Sequence, residues 1–247
     1  MMKTILITGA TSGIGLAAAQ HFSGQGQRVL ISGRRAEKLD EALTRLNAAG
    51  GQRVEGVLCD QADPQQIRAL AGRLQDGGVQ LDALILNAGI FLPELFTGFT
   101  TANLMQQLQT NLIGPLQTLH ALLPVLANPA SVVLVSSIAA EKAFAGCTAY
   151  GASKAALEGA MGSLNAELAE RGIRVNCLRP GVTLTEIQAK AGMDSGALAS
   201  LQQQMAATPA GRMLQPQDIV PALAYLALND STAVYGARLA VDGGFCL

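Results

Sequence analysis

Short apolar runs and longer, helically spaced segments alternate along the whole chain. The runs at 3–8, 28–32, 53–58, 81–86, 132–135, 173–178 and 239–242 are rich in Val, Ile and Leu and too short for helices. Each reads as a buried parallel strand. Between them, apolar positions three and four apart predict helices after the glycines of 9–15, at 36–49, and from Pro64 to about 75. Further helices are predicted at 101–127, from 150 toward 171, and at 217–228. In the 150–171 segment, Leu157, Met161, Leu164 and Leu168 form one stripe. Strands and helices alternate without repeat or linker. That order predicts an α/β chain built as a single Rossmann-type, doubly wound domain over 1–247, with its site at the C-terminal ends of the strands. Residues 182–213 carry the weakest pattern and are expected to act as a substrate lid.

Composition narrows the class. With 49% apolar and 14% charged residues, 247 positions can bury a large core. A net charge of −1 and the absence of a basic block argue against nucleic acid or an anionic membrane as partner. No apolar run approaches the ~20 residues of a membrane span. The N-terminal run turns glycine-rich by Gly9, which reads as strand and loop rather than signal peptide. Cys59, Cys147, Cys177 and Cys246 lack metal-ligand spacing, so no metal site is expected. Free thiols in a reducing, cytoplasmic compartment are the expected state. His21 and His120 have no partner motif and read as structural.

The candidate chemistry centres on SVVLVSSIAAEKAFAGCTAYGASKAAL, residues 131–157. Ser137 ends a strand, and Tyr150 and Lys154 share one face at the start of a helix. A free Tyr titrates near ~10, and a close ammonium lowers it by roughly 1–3 units. The expected phenol pKa is therefore ~7–9, suited to a general acid. Ser137 would hold the oxygen that receives the proton. A lone Y-x-x-x-K is usually only an exposed Tyr and Lys, so the rest of the chain must carry the argument.

Between the first strand and first helix lies GATSGIG: Gly9, Thr11, Ser12, Gly13, Ile14 and Gly15. Such a turn lets backbone N–H groups and a helix N-terminus meet a pyrophosphate, although a plain glycine-rich turn has the same look. After the second strand, the place of the acid that binds the NAD ribose holds Gly33, then Arg34 and Arg35. Two guanidiniums suit the 2′-phosphate of NADP(H). Asp60, after the third strand, reads equally as an adenine contact or a turn residue. Asn87, Ala88 and Gly89 reverse the chain after the fourth strand and leave room for a cofactor. Asn111, with Pro115 just beyond, either fixes a helix kink or anchors a water toward Lys154.

Together these pieces resemble the short-chain dehydrogenase/reductase family: Thr8-Gly9-x-x-x-Gly13-Ile14-Gly15, Asn87-Ala88-Gly89, Asn111, Ser137, Tyr150-x-x-x-Lys154, Pro180-Gly181 and Val241-Asp242-Gly243-Gly244. The resemblance covers nearly the whole chain. It implies a seven-stranded parallel sheet flanked by helices, and hydride transfer between a nicotinamide and a carbonyl or alcohol carbon. It implies Tyr150 as acid/base, Ser137 as polariser of the substrate oxygen, Lys154 on the nicotinamide ribose, and Asn111 on a relay water. Asn87 and the loop of Pro180, Gly181, Val182, Thr183 and Thr185 would hold the cofactor. Family members are often homo-oligomers, tetramers or dimers, pairing across the helices near 101–127 and 151–171. Ser12 departs from many NADP-preferring members, which carry a basic residue there, so that preference leans on Arg34 alone or with Arg35. The segments Pro209-x-Gly211-Arg212 and Pro216-x-Asp218-Ile219 resemble the branch of 3-oxoacyl-carrier-protein reductases, which holds many other reductases too.

By position, Phe91, Ala139, Phe144, Cys147, Val182 and Ile187 are expected around the substrate, with 186–206 above it. That set suggests an apolar small-molecule carbonyl or alcohol. Glu141 and Lys142 either shape this pocket or face solvent. The expected activity is NADP(H)-dependent ketone or aldehyde reduction. The alternatives are an NAD-linked alcohol dehydrogenase and a non-catalytic cofactor sensor on the same fold.

Overall fold

Seven parallel strands make one sheet in the order β3-β2-β1-β4-β5-β6-β7. The structure is a computed structural model that describes residues 2–247 apart from the side chain of Asn229. The strands are β1 Thr4–Ile7, β2 Arg28–Gly33, β3 Val54–Leu58, β4 Leu81–Leu86, β5 Leu126–Val135, β6 Ile173–Pro180 and β7 Arg238–Val241. The helices are α1 Gly13–Gly24, α2 Ala36–Ala48, α3 Pro64–Asp76, α4 Thr101–Leu108, α5 Gly114–Leu122, α6 Thr148–Gly159, α7 Met161–Leu168, α8 Glu186–Lys190, α9 Ser195–Ala206 and α10 Pro216–Ala227.

Both faces of the sheet are covered, which is why the strands lack polar alternation. Side chains of a strand point alternately to its two faces. Leu6, Leu84, Val132 and Leu134 therefore share one core with Leu70, Leu119, Leu122, Leu157 and Met161 of α3, α5, α6 and α7. Ile5, Ile7, Ile85 and Val133 pack on the other face with Phe22, Leu39, Ile219 and Leu223 of α1, α2 and α10. The Leu157–Leu168 stripe is spent on the first of these cores.

Two predicted segments are divided. The 101–127 stretch is α4, a π-helical turn Gln109–Ile113, α5 and a 3-10 turn Leu123–Val125. Pro124 lies in that last turn, and β5 begins already at Leu126, six residues before the expected start. The 150–171 helix breaks at Ala160 and closes with Gly172 in the left-handed region, φ 65°. Within 182–213, α8 and α9 give regular structure to the expected lid.

The strand order reverses between β1 and β4, where a crevice opens at the strands' C-terminal ends. Thr8 joins its two rims. Its hydroxyl accepts from the N–H groups of Asn87 (3.0 Å) and Ala88 (3.1 Å). Asn87 Nδ2 donates back to the carbonyls of Thr8 (2.9 Å) and Gly9 (3.0 Å).

Candidate active site

A cleft of about 810 Å³ runs from the glycine-rich turn, over the ends of β4 and β5, to the lid. Gly9, Thr11, Ser12, Gly13 and Ile14 line its first part. Gly9 has φ 64°, and a Cβ there would sit 2.7 Å from Ala88 Cα, so the turn needs glycine. Ser12 caps α1 without a side-chain hydrogen bond, and Gly13 and Ile14 of the first turn line the cleft. Helix N–H groups and dipole there suit a pyrophosphate. Gly15, expected at the cofactor, lies beneath the turn instead, where an added Cβ would be 2.6 Å from Asn87 Nδ2.

Arg34 and Arg35 follow β2 and line the same cleft, as do Asp60, Asn87, Ala88 and Gly89. These residues fit a dinucleotide. Asp60 Oδ1 accepts from Ala62 N–H at 2.9 Å, so its turn role is present. Arg35 has an unforeseen partner: Glu186 of α8, at 3.9 Å, which also pairs with Lys190 at 2.7 Å. Among the described residues Arg34 has no ion-pair partner. Pro180, Gly181, Val182, Thr183 and Thr185 complete this side. Thr185 Oγ1 accepts from Ile187 N–H (3.2 Å) and Gln188 returns to Thr185 N–H (3.0 Å), a capping box that starts α8.

Ser137, Tyr150 and Lys154 meet at the middle of the cleft. Ser137 lies two residues past the end of β5, and its Oγ accepts from Ala139 N–H at 3.1 Å. Gly151 brings α6 against that turn: a Cβ there would stand 2.6 Å from the Ala139 carbonyl oxygen. Any larger residue beside Tyr150 would push the phenol away from Ser137. Lys154 is buried and donates from Nζ to the Val135 carbonyl at 2.9 Å. Its Nζ is 5.8 Å from the centre of the Tyr150 ring.

The expected low phenol pKa is corrected here. Burial pushes Tyr150 up to about 12, with hydrogen bonding to Ser137 pulling the other way. Burial acts on Lys154 as well, bringing it down to about 8, opposed by Cys177 and Glu158. Desolvation exceeds the pairwise attraction that the spacing suggested.

Asn111 does not line the cleft. It is fully buried in the π-helical turn, accepting from Ile90 N–H (2.8 Å) and donating to Ile90 O (2.9 Å) and Ser153 Oγ (3.1 Å). Its side chain thus ties α4–α5 to the β4 loop and to α6. A Cβ on Gly89 would stand 3.2 Å from Asn111 Oδ1 and 3.3 Å from Lys154 Nζ, so both side chains converge on one backbone.

The far end is apolar. Phe91, Ala139, Phe144, Cys147 and Ile187 line the cleft together with Val182 of the 180–185 loop, and the Phe91 ring is 5.0 Å from that of Tyr150. Cys147 is half-buried, and burial raises its thiol. Met193, Leu201 and Met205 of the 186–206 segment line the cleft too, and so do Leu92 and Phe245, which the sequence does not single out. Nothing local marks Phe245. Glu141 pairs with Arg179, and Lys142 donates to the Phe245 carbonyl at 2.7 Å.

Comparison with known proteins agrees with this geometry. The matching family model, described as Enoyl-(Acyl carrier protein) reductase, spans residues 9–246. The oxidoreductase asL5 of Sarocladium schorii is 34% identical over 244 residues, covering 98% of this chain and 95% of that one. A serine 3-dehydrogenase from Rhizobium radiobacter is 36% identical over 192 residues, 75% of this chain and 74% of its own. A solved short-chain dehydrogenase/reductase from Serratia marcescens superposes with a TM-score of 0.88 at 26% identity, covering 99% of this chain and 98% of that one. These relatives share oxidoreductase chemistry and differ in what they are named for. The chain belongs to the short-chain dehydrogenase/reductase family, oxidoreductases that use a nicotinamide cofactor.

Proposed function

We propose that this protein is an NADP(H)-dependent reductase of ketones or aldehydes, with Tyr150 as general acid. The observation that carries the reading is the meeting of Ser137, Tyr150 and Lys154 in one cleft whose other end holds Arg34 and Arg35. The glycine-rich turn and the N-terminus of α1 would hold the pyrophosphate, Arg34 the 2′-phosphate, and Lys154 with Asn87 the nicotinamide half. When bound, the reduced nicotinamide supplies a hydride to the carbonyl carbon.

Ser137 donates a hydrogen bond to the substrate oxygen and orients it. Tyr150 gives that oxygen its phenolic proton as negative charge develops there. With burial raising its pKa to about 12, Tyr150 carries its proton at neutral pH. Lys154 places a positive charge where the tyrosinate forms. Asn111 keeps the π-helical turn, Ile90 and α6 in register with these groups. Phe91 and the lid exclude water from the reacting atoms.

The test is NADPH oxidation, followed at 340 nm, against acetoacetyl thioesters, diketones, aromatic ketones and aldehydes, with Tyr150→Phe beside the wild type. Turnover lost in the variant supports the reading, and equal turnover in both overturns it. A second reading, an NAD-linked alcohol dehydrogenase, draws on the Arg35–Glu186 contact, which leaves only Arg34 free for a 2′-phosphate. Tighter binding of NADH than NADPH would select it. The same proposal has the protein working as a cytoplasmic homo-oligomer, supported by free cysteines and by exposed Met105 of α4 with Leu95 and Phe96 in the loop before it, and checked by light scattering.

A further inference from the structure

Phe245 stands far from the reacting groups in sequence yet lines the same cleft. Its ring lies nearly parallel to that of Phe144, with centroids 5.8 Å apart and planes 15° off. Lys142 holds it twice, by the hydrogen bond to its carbonyl and by placing Nζ 4.2 Å from its ring centroid. Asp242 fixes the turn before it, accepting from Gly244 N–H and Cys246 N–H, both at 2.9 Å. The lid's exit closes on that turn, with Ala210 N–H donating to the Gly243 carbonyl at 2.9 Å. A side chain anchored by loop, turn and lid is held in place before any substrate arrives, which lowers the ordering cost of binding.

We propose that Phe245, stacked on Phe144, is a specificity-determining wall of the substrate site that selects carbonyl compounds bearing a flat apolar group, and that Lys142 is its positioning residue. The inference rests on the reductase reading and narrows its substrate class. The parallel pair offers apolar area to a flat ring and no hydrogen-bond partner to a polar group. Met193, Leu201 and Met205 face the same space from the lid. The thioethers of Met193 and Met205 suit aromatic ligands. The charged residues of the cleft other than Lys154, namely Arg34, Arg35, Asp60, Glu186 and Lys190, belong to the cofactor end and to α8. The ammonium at the wall, that of Lys142, is already engaged by the Phe245 carbonyl and ring, so the wall favours a flat apolar group over an anionic or polyhydroxylated one.

The test pairs turnover with calorimetric binding to the NADPH-loaded protein, using phenyl methyl ketones and straight-chain methyl ketones of equal carbon number. Wild type is expected to bind and reduce the aryl series at least tenfold better. Phe245→Ala should lower affinity and kcat/KM for aryl ketones about tenfold more than for alkyl ketones, mainly through KM. Phe245→Leu should keep the apolar area and still lose the aryl preference. Lys142→Met should move the ratio the same way by a smaller factor, and Lys142→Arg should restore it. Melting temperature and NADPH affinity, unchanged across the set, exclude misfolding. An unaltered aryl-to-alkyl ratio in Phe245→Ala, or a wild type that binds no aryl ketone, overturns the proposal. Aryl binding that depends on Phe245 without turnover would sustain the wall and count against the reductase reading alone.

Discussion

Arg179 clasps Glu158 with both arms of its guanidinium, Nε to Oε1 at 2.9 Å and Nη2 to Oε2 at 2.6 Å. Glu158 sits one helical turn beyond Lys154 on α6, and Arg179 precedes Pro180 at the end of β6. The pair therefore ties the helix that carries Tyr150 and Lys154 to the strand that launches the lid. Arg238 of β7 adds a third contact at 3.2 Å. The Glu158 side chain is only 4% exposed, so its charge depends on these partners.

Breaking this pair from one side should be costly. Arg179→Ala leaves a buried carboxylate with only the 3.2 Å contact from Arg238, and a loss of about 3 kcal/mol is expected in urea unfolding. The double variant Glu158→Met/Arg179→Met should recover much of it, since neither charge is then stranded. Burial pushes the Glu158 carboxyl up, but hydrogen bonds and charge from Arg179 outweigh it and hold it below its ordinary value. Its stabilising contribution is thus present above the unfolded pKa and lost as pH falls through the lower folded one. Glu158→Gln should flatten that acid limb of the stability curve.

Lys154 has the opposite signature. Its folded pKa of about 8 lies below the free value of 10.5, so the unfolded chain binds the extra proton between them. Stability should rise as pH goes from about 8 toward 10, before Tyr150 reverses the slope. The rise should be on the order of 3 kcal/mol at most. Thermal melts of Lys154→Met across that range should lack it; an identical slope would mean the ammonium is not desolvated.

Removing the phenolic hydroxyl tests the chemistry alone. Tyr150→Phe should lower kcat by roughly 10²–10⁴-fold while NADPH binding stays within about twofold. Equal loss of both would make Tyr150 a packing residue.

Cofactor choice should respond to two opposed substitutions. Arg34→Ala should weaken NADPH about tenfold and leave NADH nearly unchanged, because only the 2′-phosphate needs the guanidinium. Glu186→Gln should tighten NADPH severalfold by releasing Arg35 from its 3.9 Å contact. Fluorescence titration of the reduced nicotinamide reads both.

Much of this architecture was legible because its signals are local. The Val132–Val135 run had to be a covered strand, since its side chains are apolar on both faces. Gly9 and its neighbours declared a turn between strand and helix, and Tyr150 and Lys154 declared a shared helix face. The sequence alone determined the alternation of strands and helices and that Ser137, Tyr150 and Lys154 come together at the strand ends.

Tertiary structure decided what depends on distant residues. The π-helical turn around Asn111 follows from its bonds to Ile90 and Ser153, 21 and 42 positions away. The Phe245 wall follows from Lys142, 103 positions before it. Glu186 reaches Arg35 only because the lid lies across the cleft. The phenol pKa departs from expectation for the same reason: spacing places a charge beside Tyr150, but only packing determines how much water both groups lose, and here desolvation is the larger effect.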